Sequence, residues 1–596
     1  MPVLETSAEC RVLIDNKEIK HDVSSVRLDQ YVDDHHLLIL RLRRVGKVAG
    51  DKDFEDPSPF TKFLGKPLAL TITPLGGVIA QERKLEFIGL VTQIGLDNSI
   101  DGINEVLVTA HSPTITADGA HQNALYHEQK ASEIIDSIIR SCPVTVGKIE
   151  SSAVTHKYVV QYRQTDYEFI GGLASRNGLF ACYDGVEFNL SKANSFGSEE
   201  LVWRESLGAF CMGLGTGIEK TCSQVYDYSK KEVYAGETSG SLRTALSAMS
   251  KVSHDASTAL YPTADFVPGL KSGSQGDLDK SLETVRESVV GRLVSCSGES
   301  IVPAVRVGHC VKIKGMEKLD GQYWIRSVRH VFDESGKYHN SFVCTPLDLA
   351  FPERKASRIP FTDLQTGEVM DTDDPDKLGR IKVRFHWNVK DGSPAQPEIW
   401  LRVLSSHGGG KRGLYCLPEV GDEVLVGFEH GDPTLPIVLG SLYNGKDVPP
   451  VDHKVSWKGA DNNLKLFRTK SGNEIYFCDD SGKEAVVIVQ KDEKNSLTMT
   501  LDGPKISLES QGDISVVGAN IKIESTQGDI ELSSAANLKT SSSANTEVKS
   551  SANMKLEAGA NMEIKSSAMM KVEAGAKADL SAGAMMTIKG AMVEIN

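Results

Sequence analysis

From Gly528 to Asn596 the chain repeats with a period of eight residues. The blocks read GDIELSSA, ANLKTSSS, ANTEVKSS, ANMKLEAG, ANMEIKSS, AMMKVEAG and AKADLSAG, followed by AMMTIKG and AMVEIN. The third and fifth places are mostly apolar, and the seventh and eighth places are nearly all Ser, Ala or Gly. Two apolar residues two positions apart indicate a short strand with one buried face, and small residues suit tight bends. Each block therefore predicts one strand and one bend.

The third and fifth places predict the core of an assembly rather than of one chain. A rung of eight residues encloses little volume, whereas solenoids that enclose their own core use coils of roughly 20 or more residues. A block that covers a third of a turn forms one side of a triangle, and two other chains supply the other sides. The repeat thus predicts a triple-stranded β-helix in an intertwined homotrimer, rising roughly 4.7 Å per block. The predicted core residues are Ile530, Leu532, Met554, Leu556, Met562, Ile564, Met570, Val572, Met586 and Ile588.

The fourth place of the blocks alternates in charge. In a stacked trimer, unlike charges of successive blocks lie side by side on neighbouring chains, and a slip by one block brings like charges together. Each exposed pair contributes less than about 1 kcal/mol, so the predicted role is to set register. A solvated mixed-charge surface or low-complexity disorder is the alternative, which the coupled apolar and charge periods disfavour. The predicted inter-chain ladder comprises Lys539, Glu547, Lys555, Glu563, Lys571 and Asp579.

Composition restricts the partners and the compartment. The formal net charge of −14 argues against a general affinity for nucleic acid or an anionic membrane surface. No apolar run in the sequence approaches the roughly 18 residues of a membrane-spanning helix. The ten cysteines contain no CxxC pair, and the first twenty residues lack the pattern of a signal peptide. We therefore expect assembly in a reducing bacterial cytoplasm, and export without a cleaved leader.

The remaining chain predicts a mainly β protein of several domains. Short alternating strands with turn residues indicate barrels or sandwiches, and four or five strands between Gly379 and Gly445 fit a small closed barrel of the OB type. Ala131, Ile134, Ile135 and Ile138 have helical spacing. The expected divisions are a double-barrel region (1–357) with a helix at about 126–140 and a Ser/Gly-rich insertion or flexible excursion at about 229–290, an OB domain (358–450), a transition (451–490) and the β-helix (491–596).

Three segments resemble the VgrG family, the spike proteins of type VI secretion systems and related contractile injection particles. DKLGRIKVRFHW (376–387) resembles the start of the family's OB module, and LPEVGDEVLVGFEHGDPTLPIVLGSLYNG (417–445) resembles its later part. QYRQTDYEFIGGLASRNG (161–178) resembles a segment usually written QYxESDxxFxxRLxExxG. Gln161, Tyr162, Asp166, Phe169, Leu173 and Gly178 match this pattern, whereas Gln164, Thr165, Gly172 and Ser175 depart from it. The departures indicate a divergent branch, such as a bacteroidete-type system or an extracellular particle.

The resemblance implies a phage-hub-like double barrel, an OB domain and a triple-stranded β-helix. It implies a homotrimer mounted on the inner tube, in contact with baseplate proteins and carrying effectors through partners. It also implies a PAAR-type tip protein on the blunt end of the helix, for which Val593, Ile595 and Asn596 are the candidate contacts. The expected action on the target membrane is mechanical puncture, with no effector domain after Asn596.

No motif supports catalysis, a cofactor or a metal. HGGGKRG (407–413) lacks the ending of a P-loop, and DTDDPDKLG (371–379) lacks the later glutamate of a calcium loop, so both are predicted to be turns or loops. His35, His36 and His386 lack metal-binding spacing. The protein is therefore expected not to be an enzyme. The alternatives are a phage baseplate hub or tailspike, a passive adhesin, and a glycan-degrading tailspike, which would need a cleft with paired carboxylates.

Overall fold

The structure, a computed structural model, divides into two compact units, Met1–Asp452 and His453–Asn596. It describes residues 4–19, 22–43, 58–77, 79–98, 104–193, 197–238, 242, 246–270, 272–353, 362–387, 398–450 and 462–595. The expected boundary at 357/358 lies outside the described residues.

The first unit is built mainly of strands. In chain order they are β1 (Thr6–Ile14), β2 (Lys17–Glu18), β3 (Asp22–Tyr31), β4 (Leu37–Arg43), β5 (Pro67–Pro74), β6 (Leu85–Asn98), β7 (Asn104–His111), β8 (Gln122–Lys130), β9 (Val146–Ile149), β10 (Thr155–Gln164), β11 (Phe180–Tyr183), β12 (Phe188–Ser191), β13 (Ser198–Val202), β14 (Leu207–Leu214), β15 (Thr221–Asp227), β16 (Glu232–Glu237), β17 (Asp265–Phe266), β18 (Val294–Ser300), β19 (Cys310–Lys314), β20 (Gly321–Phe332), β21 (Lys337–Pro346), β22 (Gln365–Asp371), β23 (Ile381–Phe385), β24 (Glu398–Val403), β25 (Gly408–Gly409), β26 (Arg412–Gly413), β27 (Glu423–Phe428) and β28 (Pro436–Ser441). The helices are α1 (Ser58–Thr61), α2 (Ala131–Ile139), α3 (Asp166–Arg176), α4 (Ala248–Leu260) and α5 (Gln275–Val290).

Two barrel-like sheets share the β20–β21 hairpin. The first runs β20-β3-β4-β7-β6-β5-β1-β21, and the β20–β21 pairing closes the ring. The second runs β13-β19-β20-β21-β18-β14, and an isolated bridge from Trp203 to Leu207 joins its end strands. Each ring has its own core, because Phe332 and Tyr338 at one end of the hairpin belong to the first, whereas Trp324 and Phe342 belong to the second. The predicted double barrel is confirmed.

A buried polar network lies on the shared hairpin. Gln30 approaches His36 Nδ1 at 3.4 Å and His330 Nε2 at 3.2 Å, and His330 Nδ1 lies 2.6 Å from the Tyr338 hydroxyl. Asn340 Nδ2 donates to that hydroxyl at 2.9 Å. Burial lowers the pKa of both His36 and His330 to about 3. Both rings are therefore neutral near pH 7 and act as hydrogen-bonding members of the core.

The predicted helix at 126–140 is shorter than expected. Tyr126 to Lys130 belong to β8, and α2 begins at Ala131, where the Glu133 carboxylate accepts the Lys130 backbone N–H at 2.9 Å. The four positions with helical spacing are buried. The segment 161–178 contains α3, whose N-terminus is capped by Thr165 and Glu168. This residue pair differs from the family pattern at Thr165 and still satisfies the helix N-terminus.

The prediction of a flexible excursion at 229–290 is wrong for the described part of that segment. It contributes β16, α4, β17 and α5, and a small core of Val267, Leu278 and Leu282 lies between the β15–β17 sheet and α5. Helix α4 buries Ser250, Ser253 and Ser257 and exposes its apolar Val252 and Leu260. Its hydroxyls bond backbone groups, as when Ser253 donates to the Gly215 carbonyl at 2.7 Å. The serine residues of α4 therefore allow the helix to pack against neighbouring backbone through hydroxyl hydrogen bonds.

The OB barrel is closed in the order β22-β23-β24-β28-β27. Its core contains Val369, Val383, Leu401, Val424 and Val438. The glycine-rich HGGGKRG segment forms the exposed β25–β26 hairpin between β24 and β27. The acidic DTDDPDKLG segment forms a turn, in which Arg380 Nη2 lies 2.6 Å from Asp374 Oδ1.

The second unit begins with an antiparallel meander and ends in the octads. The meander strands are β29 (Leu464–Arg468), β30 (Glu474–Cys478), β31 (Ala485–Val489), β32 (Asn495–Thr500) and β33 (Lys505–Ser510), paired in sequence order. The expected start of the β-helix at 491 is therefore wrong, because Ile506 and Leu508 lie in an antiparallel strand. Apolar residues two apart occur in either arrangement, so that pattern alone did not distinguish them.

Candidate functional site

One face of the meander is almost wholly apolar. Directly paired residues point to the same side of an antiparallel sheet, so each row of partners crosses all five strands on one face. One row joins Phe467, Ile475, Ile488, Leu497 and Leu508, and the next joins Lys465, Phe477, Val486, Met499 and Ile506. Seven of these side chains are exposed in the single chain: Phe467, Ile475, Phe477, Ile488, Met499, Ile506 and Leu508. We call these nine apolar residues the meander face, and such a contiguous apolar patch marks an interaction surface.

The octad segment bends once per block. Within the described residues 511–595 the chain forms no strand pairing with itself. Bends occur at 535/536, 543/544, 551/552, 559/560, 567/568, 575/576 and 583/584, an eight-residue spacing that coincides with the block boundaries. The last bend, at 591/592, keeps the eight-residue spacing although the preceding block has seven residues. The local chain geometry thus agrees with the predicted strand-and-bend unit.

In these blocks the third place is less exposed than the second and fifth places. Third-place Met554, Met562 and Met570 are each 51% exposed, and Met586 is 48% exposed. In the AMM blocks the preceding second-place residues Met569 and Met585 are 78% and 80% exposed, so the two methionines of each doublet point to different sides. The remaining predicted core residues, Ile530, Leu532, Leu556, Ile564, Val572 and Ile588, are exposed as well. A single chain therefore leaves this whole apolar stripe in water.

The charges of the octads pair within their own blocks in the single chain. Lys555 Nζ lies 2.5 Å from Glu557, and Lys577 Nζ lies 2.6 Å from Asp579. Glu547, Glu563 and Lys571 also pair with the residue two positions on, namely Lys549, Lys565 and Glu573. Lys539 is exposed, and its block has Ser at the sixth place. Pairing between neighbouring chains, as the ladder predicts, involves chains that a single chain does not contain and stays a prediction.

The predicted tip contacts lie at the end of the described segment. Val593 is 48% exposed, like the third-place methionines, whereas Ile595 is 86% exposed. Asn596 lies outside the described residues. Val593 thus continues the half-buried row of the repeat, and its contact with a tip protein stays a prediction.

The first unit attaches its OB barrel to the double-barrel region through aromatic side chains. Gln365 Nε2 donates to the Tyr162 hydroxyl at 2.8 Å, and the Tyr158 hydroxyl donates to the Thr434 carbonyl. Arg402 lies 4.6 Å from the ring centre of Tyr228, in the turn after β15. Sequence reasoning missed Tyr158 and Tyr228, since neither lies in a recognisable pattern, whereas Tyr162 is one of the motif matches.

Among the described residues no three His, Cys, Asp or Glu side chains come together as metal ligands. In that same part of the chain, no helix has the length and apolar character that crossing a bilayer requires.

The first unit thus combines a double-barrel region with an OB barrel, and the second unit combines an antiparallel meander with the octad repeats. The family profile for the type VI secretion system/phage-baseplate injector OB domain matches residues 365–443, and a profile for the Alg8 N-terminal domain matches residues 77–334. Homologues of the chain are VgrG spike proteins of type VI secretion. VgrG1b and VgrG1a of Pseudomonas aeruginosa are 22% and 24% identical over 73% of this chain.

The chain matches only part of the length of each of these relatives. The alignment covers 62% of VgrG1b and 71% of VgrG1a. A chain of the Francisella PdpA–VgrG complex in its half-lidded form shares the fold, with a TM-score of 0.53 and 10% identity, covering 85% of this chain and 89% of that chain. The fold and the relatives agree with the resemblance carried by the sequence motifs.

Proposed function

We propose that the protein is the subunit of a homotrimeric central spike in a contractile injection machine. The observation that carries this proposal is the uncovered apolar surface of the second unit, formed by the meander face and the octad stripe. Burial contributes about 25 cal/mol per Å², so covering on the order of 1,000 Å² per chain would contribute roughly 25 kcal/mol before entropic costs. A lone chain lacks this contribution, and within the described residues it also leaves the backbone of 512–595 without a strand partner.

In a trimer, the apolar surface is covered and the backbone of the octads gains strand partners. If each bend turns the chain by a third of a turn, the strand of one block lies beside the next block of another chain, and backbone groups pair between chains. The half-buried third-place residues then face the axis, and the charged fourth and sixth places face water. The meander faces of the three chains can cover one another in the same way. Interwound chains resist shear because separating one chain breaks many hydrogen bonds at once.

The mechanical role follows from this architecture. The double-barrel region would adapt a threefold spike to the inner tube and contact baseplate proteins, and the OB barrels would hold the three chains together. The octad spike would transmit axial force to a PAAR-type tip protein and puncture a target membrane, with effector cargo carried through partners. In this role the protein is not an enzyme, and it is assembled in the bacterial cytoplasm and leaves with the particle on contraction.

Molar mass in solution tests the proposal directly. Light scattering of the full chain is expected to give three times the 64.7 kDa of the monomer. A homogeneous folded monomer would overturn the trimer. A trimer that is not recruited to purified inner-tube protein would keep the assembly and overturn its mounting, because the tube contact is a separate step.

A further inference from the structure

Two buried cysteines face each other across neighbouring strands of the second barrel. Cys296 in β18 and Cys344 in β21 are direct register partners in an antiparallel pair, so their side chains point to the same side of the sheet. Both belong to the second barrel core, with exposed fractions of 1% and 0%. Directly opposed residues place their Cα atoms roughly 4.5–5.5 Å apart, which is within the range that a disulfide spans.

The two thiols also contact each other. Burial, and a hydrogen bond that the Cys344 thiol donates to the Cys296 sulfur, raise the pKa of Cys344 well above its ordinary value. Both cysteines are free thiols in the structure. A buried thiol with a raised pKa reacts slowly, so the pair is kept reduced until the strands open or a strong disulfide oxidant is present.

We propose that Cys296 and Cys344 are a redox-responsive pair that forms a cross-strand disulfide under oxidising conditions. The co-reactant is a small disulfide such as oxidised glutathione. One cysteine thiolate attacks that disulfide and releases one glutathione thiol; the second cysteine then displaces the other glutathione as the protein S–S bond forms. The cysteines lose two electrons and two protons, and the small disulfide is reduced to two thiols.

The disulfide would link two strands with different positions in the fold. Strand β18 is where the chain returns from the segment containing α4 and α5, and β21 belongs to the hairpin shared by both barrels. The disulfide would thus stiffen the double-barrel region. The inference needs only the barrel geometry, so it holds or fails independently of the proposed spike.

Mass spectrometry after oxidation tests the pair. The full chain with Cys211→Ser and Cys416→Ser, which removes its two exposed thiols, is incubated with oxidised glutathione in urea below the unfolding midpoint, then alkylated and cut with trypsin. We expect peptides 293–306 and 338–354, which carry Cys296 and Cys344, to become linked with the loss of two hydrogens. The oxidised protein should also melt several degrees higher than the reduced protein.

Matched variants separate the pair from other core cysteines. Cys344→Ala should abolish both the linked peptides and the rise in melting temperature, whereas Cys310→Ala, which removes another buried thiol of the same core, should retain them. Linkage of Cys296 to Cys182 or Cys310, or two fully alkylated thiols after prolonged oxidation, would overturn the proposal. The peptide linkage in the Cys344-containing parent decides the question even if a variant fails to fold.

Discussion

The Tyr162 hydroxyl accepts a hydrogen bond from Gln365 Nε2 at 2.8 Å, joining β10 of the double-barrel region to the first strand of the OB barrel. The same glutamine accepts a hydrogen bond from Trp387 Nε1, and the Tyr162 and Trp387 rings lie 5.8 Å apart. Tyr162 in the double-barrel region thus contacts both Gln365 and Trp387 of the OB barrel. This contact fixes how the OB barrel sits on the double-barrel region within the first unit.

Removing the Tyr162 hydroxyl should loosen the attachment of the OB barrel. Tyr162→Phe keeps the ring but leaves the Gln365 amide without this acceptor, so we expect a loss of about 1 kcal/mol in the free energy of unfolding. Urea denaturation measures it. Tyr415→Phe is the control, because that side chain is 77% exposed and should change stability little. Equal losses in the two variants would contradict the role of this hydrogen bond.

Asp374 should stabilise the OB barrel much more than its neighbour Asp373. The Arg380 guanidinium donates to the Asp374 carboxylate, and so do the backbone N–H groups of Arg380 and Leu378. These hydrogen bonds, above all the one from the guanidinium, hold the pKa of Asp374 well below its usual range. Asp374→Ala leaves a buried guanidinium poorly compensated and should cost about 3 kcal/mol. Asp373→Ala loses only the exposed pair with Lys377 and should cost less than about 0.5 kcal/mol.

Thermal unfolding with and without calcium distinguishes a structural turn from a calcium loop. Added calcium should leave the melting temperature of the parent protein unchanged, because the Asp374 oxygens already accept hydrogen bonds within the turn. A calcium-dependent rise that disappears in Asp374→Ala would contradict the prediction of a structural turn.

The sequence predicts most of the fold where local pattern and packing agree. The octad bends follow the period because each block repeats the same choice of apolar and small residues. The OB barrel was predictable from its alternating strands and turn residues. The boundary at 491 was wrong because Ile506 and Leu508 satisfy both an octad and an antiparallel strand, and only partner register separates the two.

Helix α4 shows why the segment at 229–290 was misjudged. Hydrophobic periodicity finds helices that bury apolar residues, but α4 buries Ser253 and Ser257 against backbone and exposes Val252 and Leu260. Its packing is therefore invisible to a pattern based on hydrophobicity. The domain contacts of Tyr158 and Tyr228 were likewise unpredictable, because they depend on residues more than 100 positions away in the chain.

The double-barrel region should lose stability in mild acid. Burial lowers the pKa of His36 and His330 to about 3 from an ordinary value of 6.5, and the nearby Arg306 further disfavours charge on His330. For His36, the attraction of Asp184 opposes this effect without overcoming burial. Both rings therefore bind protons more readily when unfolded, so their stabilising effect is complete above about pH 6.5 and falls as pH decreases toward 3.

Between pH 6.5 and 4.5 this should cost about 2 kcal/mol per histidine, since each pKa unit corresponds to about 1.4 kcal/mol and the unfolded ring is already half protonated at pH 6.5. Urea denaturation across this range measures the loss. In the folded protein, NMR should find two histidine rings that do not titrate above pH 5. Titration of all fifteen histidines near pH 6.5 would contradict the buried neutral state.

The two faces of an octad should differ sharply in their tolerance of polar residues. Ile564→Asn places an amide on the face predicted to line the trimer axis, where it lacks a hydrogen-bond partner, and should reduce the trimer fraction in light scattering. Lys565→Asn changes the adjacent outward sixth place, whose side chain is 79% exposed, to the same residue and should leave the trimer intact. Equal assembly of the two variants would remove the distinction between inward and outward places.

Lys555 tests whether charge sets the register between chains. In the single chain it pairs with Glu557 of its own block at 2.5 Å, so a simple charge reversal disturbs both this pair and any inter-chain contact. The swap Lys555→Glu with Glu557→Lys keeps the pair within the block but places like charges beside Glu547 and Glu563 in the fourth-place column. If the ladder acts between chains, the swap should slow trimer assembly at low salt more than Lys555→Ala does, and added salt should reduce the difference. If the swap assembles as fast as the parent protein, the charges act only within blocks, and the register is set by the apolar positions alone.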